Sequence, residues 1–319
     1  MAIPMLPHEI CRRAKMTASV LAAVPAPAAP EKLRLSDLDW ICNLGAGGLA
    51  SVCKARHCRT GAVFAVKISF DQDPLVVEKE AEVLKIAAGA THVIDFYALL
   101  REPGYKAALV LEYMDAGSLG SLLRRRRRGG LRIPEAAVAE VAMQCVQGLL
   151  QLHYRGIAHL DVKPDNILAN SRGEIKFSDF NISRVVGSGE VPITGGTKKY
   201  FSPERFAPKA RAGPIGAMKA DVWGLGVTVL ELFMGRLSLV PGVKNPSTEE
   251  LKQAICDGET PSVPEDTEAS AELRAFLAAC LEKNPARRPF PVELLEHPFL
   301  ARRDVEASRR ALLEILAAA

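Results

Sequence analysis

The first third of the chain contains short runs in which apolar residues alternate or cluster. These runs predict strands at residues 51–55, 63–68 and 109–114, the last leading into a connector after Met114. Residues 75–88, between the second and third runs, are interpreted as a helix. Strands and a helix are therefore expected to alternate in this part of the chain.

Helical spacing dominates further along. A long helix is predicted to start with Pro134 at its first position. Its apolar stripe consists of Val138, Val141, Ala142, Cys145, Leu149 and Leu152. Residues 222–234 are apolar on every side, which predicts a helix buried in a domain core. They are too few for a membrane span and include Glu231, and no other apolar run is long enough, so we expect no membrane span.

The composition is that of an ordinary soluble globular protein, with 48% apolar and 24% charged residues. A net charge of +4 is too small to indicate a nucleic-acid partner. The five arginines at 124–128 wrap more than one helical turn, which favours a solvated helix end over a single polyanion-binding face. Seven scattered cysteines favour reduced thiols. We therefore expect no nucleic-acid partner and a cytoplasmic location, with the nucleus as a second compartment.

The candidate chemistry is concentrated in residues 159–168, HLDVKPDNIL, which have the character of a loop. Asp161, Lys163 and Asn166 lie within it, and Asp179 follows a short apolar run. Phosphoryl transfer requires a carboxylate that orients a hydroxyl, a cation on the transferred phosphate and oxygen ligands for Mg²⁺. Because these four side chains supply all of those groups, they predict a phosphoryl-transfer site.

A Gly-rich turn at residues 45–48 lies between two apolar segments, and Lys67 lies in the next predicted strand. A dinucleotide-binding fold would have a helix after the glycines, which disagrees with this context. In this order and spacing, the Gly-rich turn, Ala65-Val66-Lys67, the 159–168 loop and Asp179 resemble a eukaryotic protein kinase over residues 36–300.

The resemblance implies an α+β fold with two lobes that uses ATP and Mg²⁺. Residues 36–113 would form a small β-rich N-lobe, and residues 114–300 a larger helical C-lobe. Residues 1–35 would be a disordered tail, because repeated Ala-Pro favours an extended chain. Two alternatives for this tail are a docking peptide for a partner kinase and a secretory or transit signal. Residues 301–319 would form a C-terminal helix that packs on the C-lobe or binds a partner, with apolar positions at Val305, Leu312, Leu313 and Leu316.

The resemblance also implies roles for individual residues. Asp161 would accept or orient the substrate hydroxyl proton, and Lys163 would steady the γ-phosphate. Asn166 and Asp179 would hold Mg²⁺. The residues expected to contact ATP are Leu44, Gly45, Ala46, Gly47, Gly48, Leu49, Ala50, Ser51, Val52, Ala65, Lys67, Glu112, Met114 and Leu168.

Lys67 is also expected to pair with an acid on the helix at 75–88. Glu78, Glu80 and Glu82 are candidates, and Glu80 is chosen because it lies four residues before Leu84, the spacing of the kinase pattern. On the same grounds Leu111 would line the back of the nucleotide pocket, and Asp221 would brace the catalytic loop at the start of the buried helix. Glu204 would pair with Arg288.

Three positions depart from the kinase pattern. Ala50 replaces the third glycine of the kinase Gly-rich motif, which reduces the range of backbone conformations open to that residue. Asn181 replaces the glycine after Asp179-Phe180; asparagine tolerates positive φ better than most residues, so the change is expected to restrict movement of the Asp-Phe hinge without removing the metal ligand. Leu160 replaces an arginine that normally binds a phosphate on the activation segment. Phosphorylation of the candidate phosphosites Ser188 and Thr194 is therefore expected to switch the protein weakly or through another contact, and their replacement by alanine to change activity little. A degenerate kinase that acts as a scaffold is the alternative to an active enzyme.

Several segments are similar to plant mitogen-activated protein kinase kinases, among them NSRGEIK at 170–176, SPERF at 202–206 and ACLEKNPARRP at 279–289. Asp165 differs from the serine that is usual in that family. The similarity implies that the substrate is the activation-loop Thr and Tyr of a downstream MAP kinase, with an upstream kinase as a second partner. A serine/threonine kinase of a neighbouring group is the alternative.

Overall fold

The structure, a computed structural model, describes residues 33–47, 50–69, 74–101, 107–187, 189–207 and 209–318. Residues 1–32 of the predicted tail, together with Gly48, Leu49 and Ser188, lie outside the described residues. The last three residues of that predicted tail are described. Leu33 and Leu35 are buried against the core of the small lobe, so the packed part of the chain includes residues before 36.

The N-lobe is an antiparallel sheet with one helix packed against it. Its elements are β1 (Leu38–Ala46), β2 (Ala50–His57), β3 (Val63–Ser69), α1 (Pro74–Ile86), β4 (Phe96–Leu100) and β5 (Ala108–Glu112). The strand order is β1-β2-β3-β5-β4, and α1 packs on β4 and β5. The three predicted strands correspond to β2, β3 and β5, and the helix predicted at 75–88 is α1, which ends two residues earlier at Ile86.

The C-lobe is helical, with short strands near the lobe boundary. Its helices are α2 (Leu119–Arg128), α3 (Glu135–Tyr154), α4 (Pro214–Met234), α5 (Thr248–Lys252), α6 (Ala271–Cys280), α7 (Pro291–Leu295), α8 (Pro298–Ala301) and α9 (Val305–Ala317). Its strands are β6 (Gly117–Ser118), β7 (Ile157–Ala158), β8 (Ile167–Ala169), β9 (Ile175–Phe177), β10 (Arg184–Val185), β11 (Val191–Pro192) and β12 (Arg211–Ala212). The α+β, two-lobed fold is that of a protein kinase, as the sequence predicted.

Helices α3 and α4 form the centre of the C-lobe. All six residues of the predicted α3 stripe are buried. Pro134 is the residue before the first helical position rather than the first position itself. The buried helix predicted at 222–234 is confirmed, but α4 begins at Pro214 and not at Asp221. Its first turns bury small residues such as Ala217 and Ala220, which do not give the continuous apolar run by which a sequence marks a core helix.

The C-terminal helix α9 packs on α3. Its buried face contains Leu312, Ile315 and Leu316. Val305 was predicted to belong to the apolar face, and this is wrong because Val305, in the first turn of the helix, is 51% exposed. Within the described ranges, no helix combines the length and apolarity needed to cross a bilayer.

Glu204, in the 3₁₀ helix at Pro203–Phe206, forms an ion pair with Arg288 near the end of the C-lobe. The Arg288 Nη1 atom donates to Glu204 Oε1 at 2.8 Å, and Nη2 donates to Oε2 at 3.1 Å. The Arg288 guanidinium is fully buried and lies over the Trp223 ring at 5.2 Å. A buried charge is stable when it is paired and hydrogen-bonded in such a bidentate geometry. The predicted pairing is therefore formed.

Candidate active site

A cavity of about 520 Å³ opens between the two lobes. This volume is within the range of small-molecule sites. The predicted nucleotide and metal residues that line it are Leu44, Gly45, Ala46, Gly47, Ala50, Val52, Ala65, Lys67, Glu112, Met114, Asn166, Leu168 and Asp179. Leu111 lines it as well, as expected. Ser51 is not among the lining residues, because strand alternation turns it away from the face that carries Ala50 and Val52.

The lining residues that sequence reasoning missed are Ile94, Tyr113, Gly117, Ser118, Ser121, Arg124, Asp165, Ser178 and Asn181. Ile94 comes to the site because Val93 bridges to Phe177, a contact between distant parts of the chain. No local pattern marks such a residue. Gly117 and Ser118 directly follow the connector between the lobes, and that position is a signal that could have identified them.

Lys67 on β3 is held by two carboxylates. Its Nζ atom lies 2.8 Å from Glu80 Oε1 and 2.7 Å from Asp179 Oδ1. Of the three candidate acids on α1, Glu80 is therefore the partner. Glu78 pairs instead with Arg101, and the Glu82 side chain is exposed.

Burial lowers the pKa of Lys67, but the charges of Glu80 and Asp179 outweigh it and hold that pKa above its usual value. Burial raises the pKa of Glu80, and Asp179, which competes for the same cation, adds to this shift. The Lys67 ammonium is therefore charged at neutral pH. Two anions compete for it, so a phosphate could replace one of them without leaving the other unpaired.

Asp161 is the centre of the catalytic loop. Its Oδ2 atom accepts from Lys163 Nζ at 2.6 Å and from Asn166 Nδ2 at 2.8 Å. Its Oδ1 atom accepts from the Thr197 backbone N–H at 2.9 Å. Lys163 Nζ also donates to Thr197 Oγ1 at 2.6 Å. The loop and the segment around Thr197 are thereby held together at one carboxylate.

Burial raises the pKa of Asp161, but the Lys163 ammonium and the Thr197 N–H outweigh it, and the net pKa is below the usual value. A carboxylate with a lowered pKa is ionised at neutral pH and is a weak proton acceptor in the ground state. Its geometry therefore suits orientation of a hydroxyl group, with proton uptake as the hydroxyl oxygen becomes bonded.

Asp221 on α4 supports the catalytic loop by accepting hydrogen bonds from its backbone. Its Oδ2 atom accepts from the His159 backbone N–H at 2.9 Å, and its Oδ1 atom from the Leu160 N–H at 2.7 Å. His153 donates to the same carboxylate at 2.9 Å. Leu160 has φ of 65°, in the left-handed region that branched residues seldom adopt. Such a conformation persists where surrounding contacts over-determine it. The bracing role predicted for Asp221 is confirmed.

Asn181 is partly buried and lines the cavity. It is not among the described residues with positive φ, whereas Asp179 has φ of 62°. Asparagine at position 181 therefore does not need a positive φ in this conformation, and restricted movement of the Asp179-Phe180 hinge stays a prediction. The left-handed residue lies two positions earlier, at Asp179, and the Phe180 N–H donates to Glu80 Oε1 at 3.2 Å.

Leu160 is buried in an apolar cluster with Val186 and Ile193 of the activation segment. Arg205 lies beside it and donates to the backbone carbonyls of Ile193 at 2.7 Å, Leu160 at 2.8 Å and Gly195. Thr194 is exposed. The activation segment is thus anchored by apolar packing on Leu160, which stands where the kinase pattern has a phosphate-binding arginine. It is anchored a second time by Arg205, an arginine at its own C-terminal end.

Comparison with known proteins gives the same assignment. Residues 40–300 match the family model described as protein kinase domain. Mitogen-activated protein kinase kinase 9 of Arabidopsis thaliana is 33% identical over 305 residues, which cover 93% of this chain and 94% of that protein. Mitogen-activated protein kinase kinase 10 of the same plant is 36% identical, covering 84% and 86%. The MAP kinase kinase skh1/pek1 of Schizosaccharomyces pombe is 32% identical, covering 81% and 72%. The chain therefore belongs to the protein kinase family and is an enzyme similar to the mitogen-activated protein kinase kinases.

Proposed function

We propose that the chain binds ATP with Mg²⁺ and transfers the γ-phosphate to hydroxyl groups of a protein. The donor set fits this nucleotide and metal. Asn166 uses its amide nitrogen on Asp161, which leaves the amide oxygen as a metal ligand, and the Asp179 side chain is 34% exposed at the cavity. Oxygen ligands of this type suit Mg²⁺. When bound, Mg²⁺ would neutralise charge on the phosphates.

The remaining steps belong to the side chains. Lys67 would hold the α- and β-phosphates, and Glu80 keeps its ammonium in place. Asp161 orients the substrate hydroxyl, whose oxygen forms the new bond to phosphorus as the bond to the ADP oxygen breaks. The hydroxyl proton passes to Asp161, and ADP leaves with the bonding electron pair. Lys163, 2.6 Å from Asp161, is placed to stabilise the charge on the transferred phosphate.

The observation that carries this proposal is the convergence of Lys67, Glu80 and Asp179 at one point of the cavity. Asn166 lines the same cavity and connects it to the Asp161 carboxylate with its three donors. A degenerate scaffold would have no need for this arrangement. The intact set therefore favours an active enzyme, although Ala50, Leu160 and Asn181 depart from the family pattern.

We further propose that the substrate is the activation-loop threonine and tyrosine of a downstream MAP kinase. The names of the relatives support this class, and their similarity extends over most of the chain. The test is incubation of the full chain with ATP, Mg²⁺ and a MAP kinase made inactive by mutation, followed by mapping of the phosphates. The Asp161→Asn variant is the control, because it keeps the side-chain shape but cannot accept the proton.

The expected result is phosphate on both the threonine and the tyrosine of a Thr-x-Tyr loop, absent with Asp161→Asn. Phosphate confined to serine residues of general protein substrates would instead indicate a serine/threonine kinase of a neighbouring group. Mg²⁺-dependent ATP binding without any transfer would indicate a scaffold and would contradict the proposal.

A further inference from the structure

The end of α2 and the turn after it carry arginines at the surface of the C-lobe. Arg125 and Arg128 are exposed, and because they are three residues apart they lie on the same side of the helix. Among the described residues neither side chain has an ion-pair or hydrogen-bond partner. Arg126 donates from Nε at 3.3 Å and from Nη2 at 2.8 Å to the Arg132 carbonyl oxygen, and a carbonyl leaves its charge uncompensated.

The other arginines of this region lie near acids. Those that share a cavity with a carboxylate are Arg124 and Arg127, with Asp165 and Glu231, and Arg132, with Glu268. We leave these three arginines out of the count of available cations. Arg125, Arg126 and Arg128 remain, so the sequence-based interpretation of the whole run as a solvated helix end does not separate two different surroundings within it.

Leu131 is exposed beside these cations. At 56% it is the most exposed large hydrophobic residue in the described part of the chain, and it lies three positions after Arg128. A single exposed leucine is ordinary on a protein surface. Here it adjoins a group of unpaired arginines, and together they form a surface that we call the arginine tip: Arg125, Arg126, Arg128 and Leu131.

The backbone of the tip is already hydrogen-bonded to itself. The carbonyls of Arg125, Arg126 and Arg127 accept from N–H groups of the turn at 3.2, 2.9 and 3.2 Å. Gly130 closes that turn with φ of 67°, in the left-handed region that glycine adopts without strain. The last carbonyls of a helix normally depend on water or a cap. Because these three have internal donors, the tip can approach an apolar phase without leaving them unpaired.

We propose that the arginine tip binds the anionic phospholipid surface of a membrane. Arg125, Arg126 and Arg128 bind the headgroup phosphates, and Leu131 enters the boundary with the acyl chains. A nucleic acid would use the same cations but offers no apolar phase for Leu131, so the leucine favours lipid. The binding is peripheral and reversible, and it does not depend on the proposed kinase activity.

Membrane binding at this place would hold the nucleotide cavity close to the bilayer. Ser121, near the start of α2, lines that cavity, and Arg128 ends the same helix seven residues later. A helix rises about 1.5 Å per residue, so the two positions are about 10 Å apart along its axis. Protein substrates that are themselves held at the membrane would therefore meet the cleft at a raised local concentration.

The test is cosedimentation of the full chain with vesicles of phosphatidylcholine, either alone or with about one-third phosphatidylserine. Wild type is compared with two double variants, Arg125→Gln with Arg128→Gln and Arg309→Gln with Arg310→Gln. The second is the matched control. It removes the same charge from two exposed arginines of α9, whose side chains also have no partner among the described residues.

Wild type is expected to bind the phosphatidylserine vesicles at low salt, to bind phosphatidylcholine alone much more weakly, and to dissociate as salt is raised. The double variant at 125 and 128 should lower the partition coefficient about twentyfold, at about fivefold for each arginine. The control at 309 and 310 should stay within about threefold of wild type. Thermal unfolding of each variant checks the fold, which substitution of exposed side chains should leave intact.

Two substitutions of Leu131 separate lipid from nucleic acid. Leu131→Asn should weaken vesicle binding about fivefold and leave binding to a uridine oligonucleotide unchanged. Leu131→Trp should shift its emission to shorter wavelength on the phosphatidylserine vesicles, because the indole leaves water. Trp40 and Trp223 are the only other tryptophans, and wild type supplies their background.

An absence of binding to phosphatidylserine vesicles would overturn the proposal, and so would an unshifted emission of Leu131→Trp. Equal losses in the two double variants would overturn it as well, since general surface charge would then be the cause. Vesicle binding that is unaffected by Leu131→Asn, together with tighter binding to the uridine oligonucleotide, would assign the arginine tip to nucleic acid instead. None of these results bears on phosphate transfer, which is measured separately.

Discussion

The anchoring of the activation segment predicts how the enzyme responds to two kinds of mutation. Arg205 satisfies three backbone carbonyls, and its side chain is buried and lies 3.8 Å from the Phe201 ring centre. Replacing it by methionine removes the donors and leaves the carbonyls without them. Each buried carbonyl that loses its partner costs about 1–3 kcal/mol. The Ile193 and Leu160 carbonyl contacts are buried, so the ordered segment should lose at least about 2 kcal/mol relative to displaced states.

A shift of about 2 kcal/mol corresponds to roughly a thirtyfold change in the ratio of ordered to displaced states, since about 1.4 kcal/mol is tenfold. Thr194 is exposed, and its replacement should change stability by no more than about 0.5 kcal/mol. We therefore expect Arg205→Met to lower the rate of phosphate transfer at least tenfold. A double variant with alanine at Thr194 and at Ser188, which lies outside the described residues, should keep the rate within about threefold.

The assay is the initial rate of transfer to an inactive MAP kinase, with thermal unfolding measured on each variant to exclude global loss of the fold. Arg184→Met is the matched control. Arg184 also donates to two carbonyls of the segment, but these belong to Ile182 and Ser183, its immediate neighbours, so it does not tie the segment to the catalytic loop. A tenfold loss in the double alanine variant would refute the reasoning, as would an Arg205→Met rate equal to that of Arg184→Met.

Three further predictions concern the catalytic set and the core. Lys67→Met should lower kcat by at least about a hundredfold, and it should also lower the thermal midpoint, because the buried Glu80 carboxylate loses its cation. Lys85→Met, which removes an exposed lysine from the same lobe, should be as active as wild type; equal loss in both would contradict the role of the Lys67 pairing. Because the pKa of Asp161 is held below its usual value, the carboxylate stays ionised and its contribution to stability is present above its ordinary pKa of 3.8 and lost as the pH falls further. The rate should then be independent of Asp161 protonation between pH 8 and about pH 5, and a ¹³C NMR titration giving this carboxyl a pKa above 3.8 would contradict that. Gly226→Ala should lower the free energy of unfolding by about 1–3 kcal/mol, because the added Cβ would lie 2.7 Å from the Cys280 Cβ. Urea denaturation would measure it, with Gly187→Ala, which meets nothing within 4 Å, as the control; equal midpoints would show that α4 and α6 can separate freely.

The nature of the chemistry was predictable because its residues are close together in the sequence. Asp161, Lys163 and Asn166 lie within six consecutive positions, and the 3₁₀ turn at Pro164–Asn166 brings the amide of Asn166 back to Asp161. Local backbone geometry is enough to assemble that part of the site. The pattern of apolar residues likewise predicted α3 and the strands β2, β3 and β5, since burial of one face requires such a pattern.

The contacts between distant segments could be predicted only where a family spacing was available. Glu80 was selected over Glu78 and Glu82 in that way, although the helix itself presents three acids in five residues. Lys67 and Asp179 are 112 residues apart, and no local pattern indicates that they lie 2.7 Å from each other. The same holds for Ile94 in the cavity wall.

The sequence by itself determined the fold class, the order of the catalytic residues and the family, because short motifs and apolar periodicity are local properties of the chain. The tertiary structure decided the environment of each charge. It placed Leu160 in an apolar cluster beside Arg205, and it paired Asp165 with Arg124. Those outcomes depend on which side chains from separate helices and loops meet when the core is packed, and a linear pattern does not contain that information.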